Sequence, residues 1–320
     1  MIRFIAKRIA VTIPILIVVS ILLFAAARFV ASPEDQLNLN PRIDAEAKAR
    51  YRESLGLDRS GTEQYLAWLS SFVRGDFGVS LIKNGQDVWP FVESALANTV
   101  LLASVAIVFS LLIGVTIGTI SAVRQNSIFD YSSTFGAFLG YSIPVFLSGL
   151  ILQLVFSVRL GWLPTAGVYS PGQVGFDLVD RAQHLVLPGI ALAVQLVAVY
   201  SRFMRASMLE VLNADYIRTA RSKGLSDREV IVGHGVRTAL IPVTTRAAVD
   251  IGLLVGGLII TEVVFQYPGM GLLFINSLTS GDYPILLAST MIVVVAVFAA
   301  NLGADVLYAV LDPRIRLTRA

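Results

Sequence analysis

The chain has 320 residues and a formal charge of only +3; 15% of its residues are charged, 55% are hydrophobic and the mean hydropathy is +0.73. Soluble domains carry about 25% charged residues, so an ordinary water-soluble fold is excluded and lipid must be the main solvent. Cysteine is absent and the only two histidines, His184 and His234, lie far apart in the sequence, which excludes disulfides and argues against a metal centre.

A bilayer core takes about 20 mostly apolar residues per helix, and six stretches qualify: 9–30, 95–123, 131–158, 185–204, 246–265 and 285–311. The fold class expected is therefore an all-α membrane protein of six transmembrane helices. Arg3, Lys7 and Arg8 precede the first stretch. Ala25–Ala27 imitates a signal-peptide cleavage site, but the apolar run is longer than a signal peptide carries, so the reading is an uncleaved anchor. The segment 31–94 is long enough for structure of its own and contains the turn-rich RGDFGVS from Arg74 to Ser80. It reads as a cap or docking surface.

Three of the stretches carry G-x-x-x-G: Gly114 with Gly118, Gly136 with Gly140, and Gly252 with Gly256. Missing side chains let helix backbones approach closely where water supplies no hydrophobic push. Neutral polar residues such as Gln153, Gln195 and Asn301 suit a cavity that passes a polar solute, and interhelical hydrogen bonds account for the same residues equally well. Among the intramembrane carboxylates, Asp250 stands four residues from Arg246 and can pair with it. Glu262 and Asp305 fall towards span ends. A structural role is the leading reading for these acids, with pathway lining and a proton relay as the alternatives.

Lys and Arg divide unevenly between the two sides. With residues 1–8 inside, the inner segments, counted over 1–8, 124–130, 202–246 and 312–320, hold 15 Lys+Arg against 6 Asp+Glu, and the outer ones, counted with Arg28 and Arg159 at their edges, 10 against 13. The short outer segment 266–284 has no Lys or Arg, so both termini are expected in the cytoplasm. A Ser-His hydrolase within the membrane is disfavoured because neither histidine falls at bilayer depth. A phosphate-binding G-x-x-x-x-G-K-[ST] and an H-E-x-x-H zinc site are both absent from the sequence.

The inner segment 205–245 is the most charged part of the chain's second half. Asn213 or Asp215 can cap a helix through Tyr216, Ile217 and Ala220, and Gly224 suits a left-handed residue just past its end. Ser226 and Glu229 have capping-box spacing. A second helix then runs through Val230, Ile231 and Val236 to an expected interruption at Pro242. The whole reads as two short helices around a glycine corner, displaying Arg218, Arg221, Lys223 and Arg228. The corner reads as a rigid lever, and cations that only set topology or bind anionic lipid headgroups are an equal reading of the same residues.

The run DYIRTARSKGL, Asp215 to Leu225, followed by ALIP, Ala239 to Pro242, resembles the EAA loop of ABC importer membrane subunits, in particular the B-type permease of dipeptide and oligopeptide importers. The places of Glu-Ala-Ala and the later Gly are taken by Arg218, Thr219, Ala220 and Gly224, so the second Ala and the Gly are kept. Further segments carry the resemblance along nearly the whole chain: LGLD at Leu55–Asp58, GDFGVSL at Gly75–Leu81, SIPVF at Ser142–Phe146, RLGWLPTAG at Arg159–Gly167, RASMLEVL at Arg205–Leu212 and LDPRIRL at Leu311–Leu317.

The resemblance implies a type I ABC importer transmembrane fold in a bacterial inner membrane. Residues 1–8 and 312–320 would be cytoplasmic, and 95–311 would form a five-helix core. It also implies a coupling site on Arg218, Thr219, Ala220, Arg221, Lys223, Gly224 and Pro242, with no ATP, cofactor or metal site on this chain. Two cytoplasmic ATPase subunits would hold ATP and Mg, a C-type permease would complete the pathway, and an extracytoplasmic peptide-binding protein would dock near Gly75, Asp76, Phe77 and Gly78. Nickel or glutathione are the rival cargoes of such a machine. A proton-coupled carrier acting alone is the remote rival from another class.

Overall fold

The computed structural model describes residues 2–30, 46, 49–50, 52–53, 56–80, 82–83 and 85–311. The expected tail 312–320, the outer segment 31–45, and Leu55 and Leu81 of the two outer-loop motifs lie outside the described residues. Among the described residues the regular structure is helical apart from one two-residue antiparallel ladder, in which Val79 faces Asp87 and Ser80 faces Gln86.

In chain order the elements are α1 (Ile2–Val30), α2 (Gly61–Val73), β1 (Val79–Ser80), β2 (Gln86–Asp87), α3 (Trp89–Val123), α4 (Ile128–Ser142) and α5 (Val145–Leu152), which continues as a π-helical turn (Gln153–Arg159). There follow α6 (Leu178–Leu212), α7 (Asp215–Ser222), a second π segment (Glu229–Val236) running into α8 (Arg237–Gly257), then α9 (Ile259–Val264), α10 (Met270–Ser280) and α11 (Tyr283–Leu311). Helices α1, α3, α6 and α11 are long and apolar enough to cross a membrane, and α4 with α5 makes a fifth crossing if the bent pair counts as one.

Three of the expected spans take a different form. The stretch 131–158 is no single rod, because α4 and α5 meet at 100°. Pro144 has no N–H and forces the residue before it out of the helical region; Ile143 accordingly has φ −79° and ψ 123°. The carbonyl of Ile143 accepts instead from Gln195 Nε2 at 3.0 Å. The stretch 246–265 is also in two pieces, broken at Leu258 directly after the Gly256-Gly257 pair, a common site of helix breaks. The fourth helix runs well past 204, so residues 205–212, expected in the inner loop, are still α6.

The described residues form two compact units. The first comprises Met1–Thr99, Gly256–Ile259 and Pro268–Phe298. Here Phe24 and Ala27 of α1 pack with Tyr283, Leu286 and Leu287, beside Tyr65 and Trp68 of α2. Val88, Val92 and Ala95 pack with Met270, Ile285 and Ala288. Helix α2 starts in a capping box in which Ser60 and Glu63 bond each other's backbone N–H. Asn98 Nδ2 donates to the Pro268 carbonyl at 2.9 Å, and the Met270 N–H donates to Thr99 Oγ1 at 2.8 Å. Ser80 Oγ donates to the buried carboxylate of Asp282.

The second unit comprises Val100–Val255, Ile260–Tyr267 and the end of α11. Its core gathers Tyr200, Met204 and Met208 of α6 with Ile217 and Ala220 of α7, Val230, and Ala239, Val243 and Ala247 of α8. A Cβ on Gly114 would stand 2.8 Å from Tyr200 Cβ, and one on Gly118 2.5 Å from the Ser201 carbonyl. The first G-x-x-x-G therefore seats α3 on α6. Gly140 meets Val194, whereas nothing lies within 4 Å of a Cβ on Gly136. Of the neutral polar residues, Gln153 Nε2 donates to the Thr165 and Val264 carbonyls, and Asn301 lies against Gly252.

Candidate coupling site

The corner expected around Gly224 is formed. Helix α7 ends at Ser222, Lys223 is its C-cap, and Gly224 follows with φ +81°. That is the left-handed region that glycine enters without steric cost. The Gly224 N–H donates to the Arg221 carbonyl at 2.9 Å and the Lys223 N–H to the Thr219 carbonyl at 3.1 Å, which gives two of the last four carbonyls of α7 partners.

The next segment opens with the capping box. Ser226 Oγ donates to Glu229 Oε2 at 2.6 Å, the Ser226 N–H donates to the same oxygen at 2.9 Å, and the Glu229 N–H donates back to Ser226 Oγ at 3.4 Å. These bonds, the hydroxyl's first and the backbone's second, hold the Glu229 carboxyl below its ordinary range.

Two expectations about this segment are corrected. Neither Asn213 nor Asp215 caps α7: its N-cap is Ala214, without a side-chain bond. Asn213 Nδ2 donates backwards to the Leu209 carbonyl at 2.8 Å, closing α6 instead. Nor does Pro242 interrupt the second helix, since it lies within α8. A proline there leaves the carbonyl four residues earlier without its helical partner; that residue, Thr238, is exposed, and water can take its place. Pro242 is therefore set apart from the corner formed by Arg218, Thr219, Ala220, Arg221, Lys223 and Gly224.

Those six residues divide by face. Ala220, with Ile217, is buried against α6 and α8. Arg218 and Arg221 point outward in loose ion pairs with Asp215 at 3.5 Å and Asp227 at 3.7 Å. Lys223 is exposed. Thr219 Oγ1 donates to the Asp215 carbonyl at 3.0 Å within the helix. The corner thus has an apolar underside fixed to the bundle and a cationic outer side.

A second attachment was not foreseen. Arg205 of α6 grips Asp130 of α4 with both arms of its guanidinium, at 2.6 and 2.8 Å. Ser121 Oγ also donates to Asp130, and so does the Asn126 N–H at 3.0 Å. The two charges are 75 residues apart; the only signal in the sequence is that each stands at the inner end of an apolar run.

In the expected outer segment, Gly75 and Gly78 both have positive φ, and Asp76 Oδ1 accepts from the Gly78 N–H at 3.0 Å. Gly75, Asp76 and Gly78 are exposed. Phe77 belongs to an aromatic row, stacked on Trp89 at 5.3 Å and edge-on to Phe72. Of the acids expected within spans, Asp250 is paired with Arg246 as its spacing implied, at 2.8 Å, and Glu262 is fully buried. His184 is buried and bonded to the Asp180 carbonyl at 2.8 Å, one turn before it in α6.

Helices long and apolar enough to span a membrane and a capped corner fixed to α6 and α8 are the parts of a membrane transport component of the ABC-importer kind. The fold agrees: the MetNI methionine ABC transporter in an inward facing conformation superposes with a TM-score of 0.55 at 16% identity, over 69% of this chain and 96% of that one. An amino acid ABC transporter gives 0.51 at 14% identity, over 68% and 93%.

The chain belongs to the binding-protein-dependent transport system inner membrane component family, which matches residues 114–317, and the N-terminal domain of that family matches residues 1–111. It is 42% identical to the oligopeptide transport system permease protein AppB of Bacillus subtilis (strain 168), over 98% of this chain and 99% of that one. A putative peptide permease of Brucella suis is 41% identical over 99% and 100%. The glutathione transport system permease protein GsiC of Escherichia coli (strain K12) is 37% identical over 99% of both.

Proposed function

We propose that this chain is one of two permease subunits of an ATP-driven peptide importer in a bacterial inner membrane, with six spans and both termini in the cytoplasm. ATP and Mg are bound and used on two separate ATPase subunits. A C-type permease supplies the other half of the pathway, and an extracytoplasmic binding protein delivers peptide near Gly75, Asp76, Phe77 and Gly78. Full-length likeness to an oligopeptide permease and a putative peptide permease supports peptide as the cargo.

The observation that carries the coupling role is the capped corner at Gly224. When the ATPases close on ATP, Arg218, Arg221 and Lys223 are the groups they grip, and α7 is displaced as a unit. Ile217 and Ala220 press on Met204 and Met208, which hands the displacement to α6. The Arg205 fork passes it on to Asp130 and α4. A rigid element with two discrete positions transmits movement where a loose tether would absorb it.

The test is ATP hydrolysis stimulated by the binding protein in the assembled complex. A Gly224→Val chain that inserts and assembles should lose that stimulation; full stimulation would overturn the lever. A second reading keeps the machine and makes glutathione, itself a small peptide, the cargo, in keeping with the 37% identical relative. Uptake of labelled glutathione against a mixed dipeptide series separates the two.

A further inference from the structure

Arg246 lies nine residues into α8, about 14 Å along the helix from Arg237. Its Nε and Nη2 hold the two oxygens of Asp250 at 3.1 and 2.8 Å. The carboxylate is buried, with 5% of its side chain exposed, but 40% of the arginine side chain is open. A guanidinium has five N–H donors, and this fork uses two. The other three make no hydrogen bond among the described residues, and Arg246 lies on the stripe of α8 that also presents the exposed Pro242 and Val249. The exposed Tyr141 stands within electrostatic reach of Arg246. Tyr200 is buried beside Asp250, its hydroxyl lacking a hydrogen bond of good geometry.

Arg246 opens the stretch expected as the fifth span, 246–265, and ionisable residues of spanning segments face a bundle interior or a water-filled cavity. We infer that Arg246 lines the translocation pathway and receives the C-terminal carboxylate of the passing peptide. This rests on the peptide-importer reading. The chemistry suits that cargo, because every peptide ends in a carboxylate whatever its side chains, and the planar guanidinium fork matches carboxylate geometry. Asp250 already neutralises the arginine, so the peptide is met by oriented donors and not by a net charge. A transport site must attract its solute and also release it.

The test uses the complete complex, both permeases with the ATPases and binding protein, in liposomes. Uptake of a tripeptide with a free C-terminus is compared with uptake of its C-terminal amide. The wild-type complex should prefer the free acid. Arg246→Gln should cut that preference by about tenfold, bringing the acid down to the rate of the amide. Arg246→Lys, which keeps the charge and loses the fork, should fall between them and serves alone if the glutamine variant does not assemble. No preference in the wild type, an undiminished preference in the variants, or equal slowing of both peptides overturns the inference; equal slowing would mark a contact with the second permease. If the wild-type complex imports neither peptide, the peptide-importer reading falls as well.

Discussion

Arg205 and Asp130 are joined by two charge-assisted hydrogen bonds, with 30% of the arginine side chain and only 2% of the aspartate side chain exposed. Removing one member strands the other without its partner, which for buried pairs costs about 3–5 kcal/mol. Arg205→Ala should therefore lower the thermal stability of the purified complex markedly. Arg205→Lys, retaining charge without the fork, should recover only part of it. Thermal unfolding by intrinsic fluorescence distinguishes the two; equal stability of wild type and Arg205→Ala would show that the bond is not holding α4 to α6.

Gly224 has a different kind of constraint. No atom lies within 4 Å of a Cβ built there, so a substitution meets no clash and acts only through φ +81°. A left-handed L residue costs about 1–2 kcal/mol, less for Asn and more for a β-branched residue. Stimulated ATP hydrolysis should fall in the order Gly, Asn, Val at this position, with membrane insertion alike in all three. An order set by side-chain volume instead of φ would refute this account.

The glycines of the first two G-x-x-x-G motifs make a paired prediction. Gly118→Ala drives a methyl into the Ser201 carbonyl and should destabilise α3 against α6 by about 1–3 kcal/mol. Gly136→Ala meets open space and should be nearly silent in the same thermal assay.

Asp282 supplies a pH dependence outside the spans. Burial pushes its carboxyl up, partly countered by the Ser80 hydroxyl. The folded value lies above the unfolded one, so the folded chain holds its proton more tightly. Stability then falls as pH rises from the ordinary carboxylate range through the folded value. Asp282→Asn should raise the melting temperature by about 2–4 °C at pH 7 and by much less near pH 4. A gain that is equal at both pH values would count against it.

Glu229 has the opposite sign, its folded value being lowered by Ser226. The stabilisation is complete above the ordinary glutamate range and is lost as pH falls through the folded value. The exchange protection of the Ser226 N–H, which donates to Glu229 Oε2, measured against an unfolded chain at the same pH, should therefore be high at neutral pH and fall in acid, and Glu229→Gln should erase that acid dependence.

What could be read in the sequence was local. Ser226 with Glu229, and Gly224 after Ser222, are contacts over three residues or fewer, set by backbone geometry that spacing reveals. Pro144 stood in plain view, yet the apolar run around it read as one span, because hydropathy reports solvent and not direction. Asn213 could cap forwards or backwards, and it bonds back to Leu209, a choice that spacing does not decide. The Arg205 fork joins residues 75 positions apart, a distance over which no periodicity carries information. Pro242 misled for a related reason: whether a proline breaks a helix depends on who takes the freed carbonyl.

The corner at Gly224 separates two duties among its side chains. Its form is kept by backbone bonds, the short-range capping box and the burial of Ile217 and Ala220, while the loose pairs of Arg218 and Arg221 are open to solvent and weakened by salt. Raising the ionic strength should therefore rinse a partner from this surface while leaving the surface ready to be bound again.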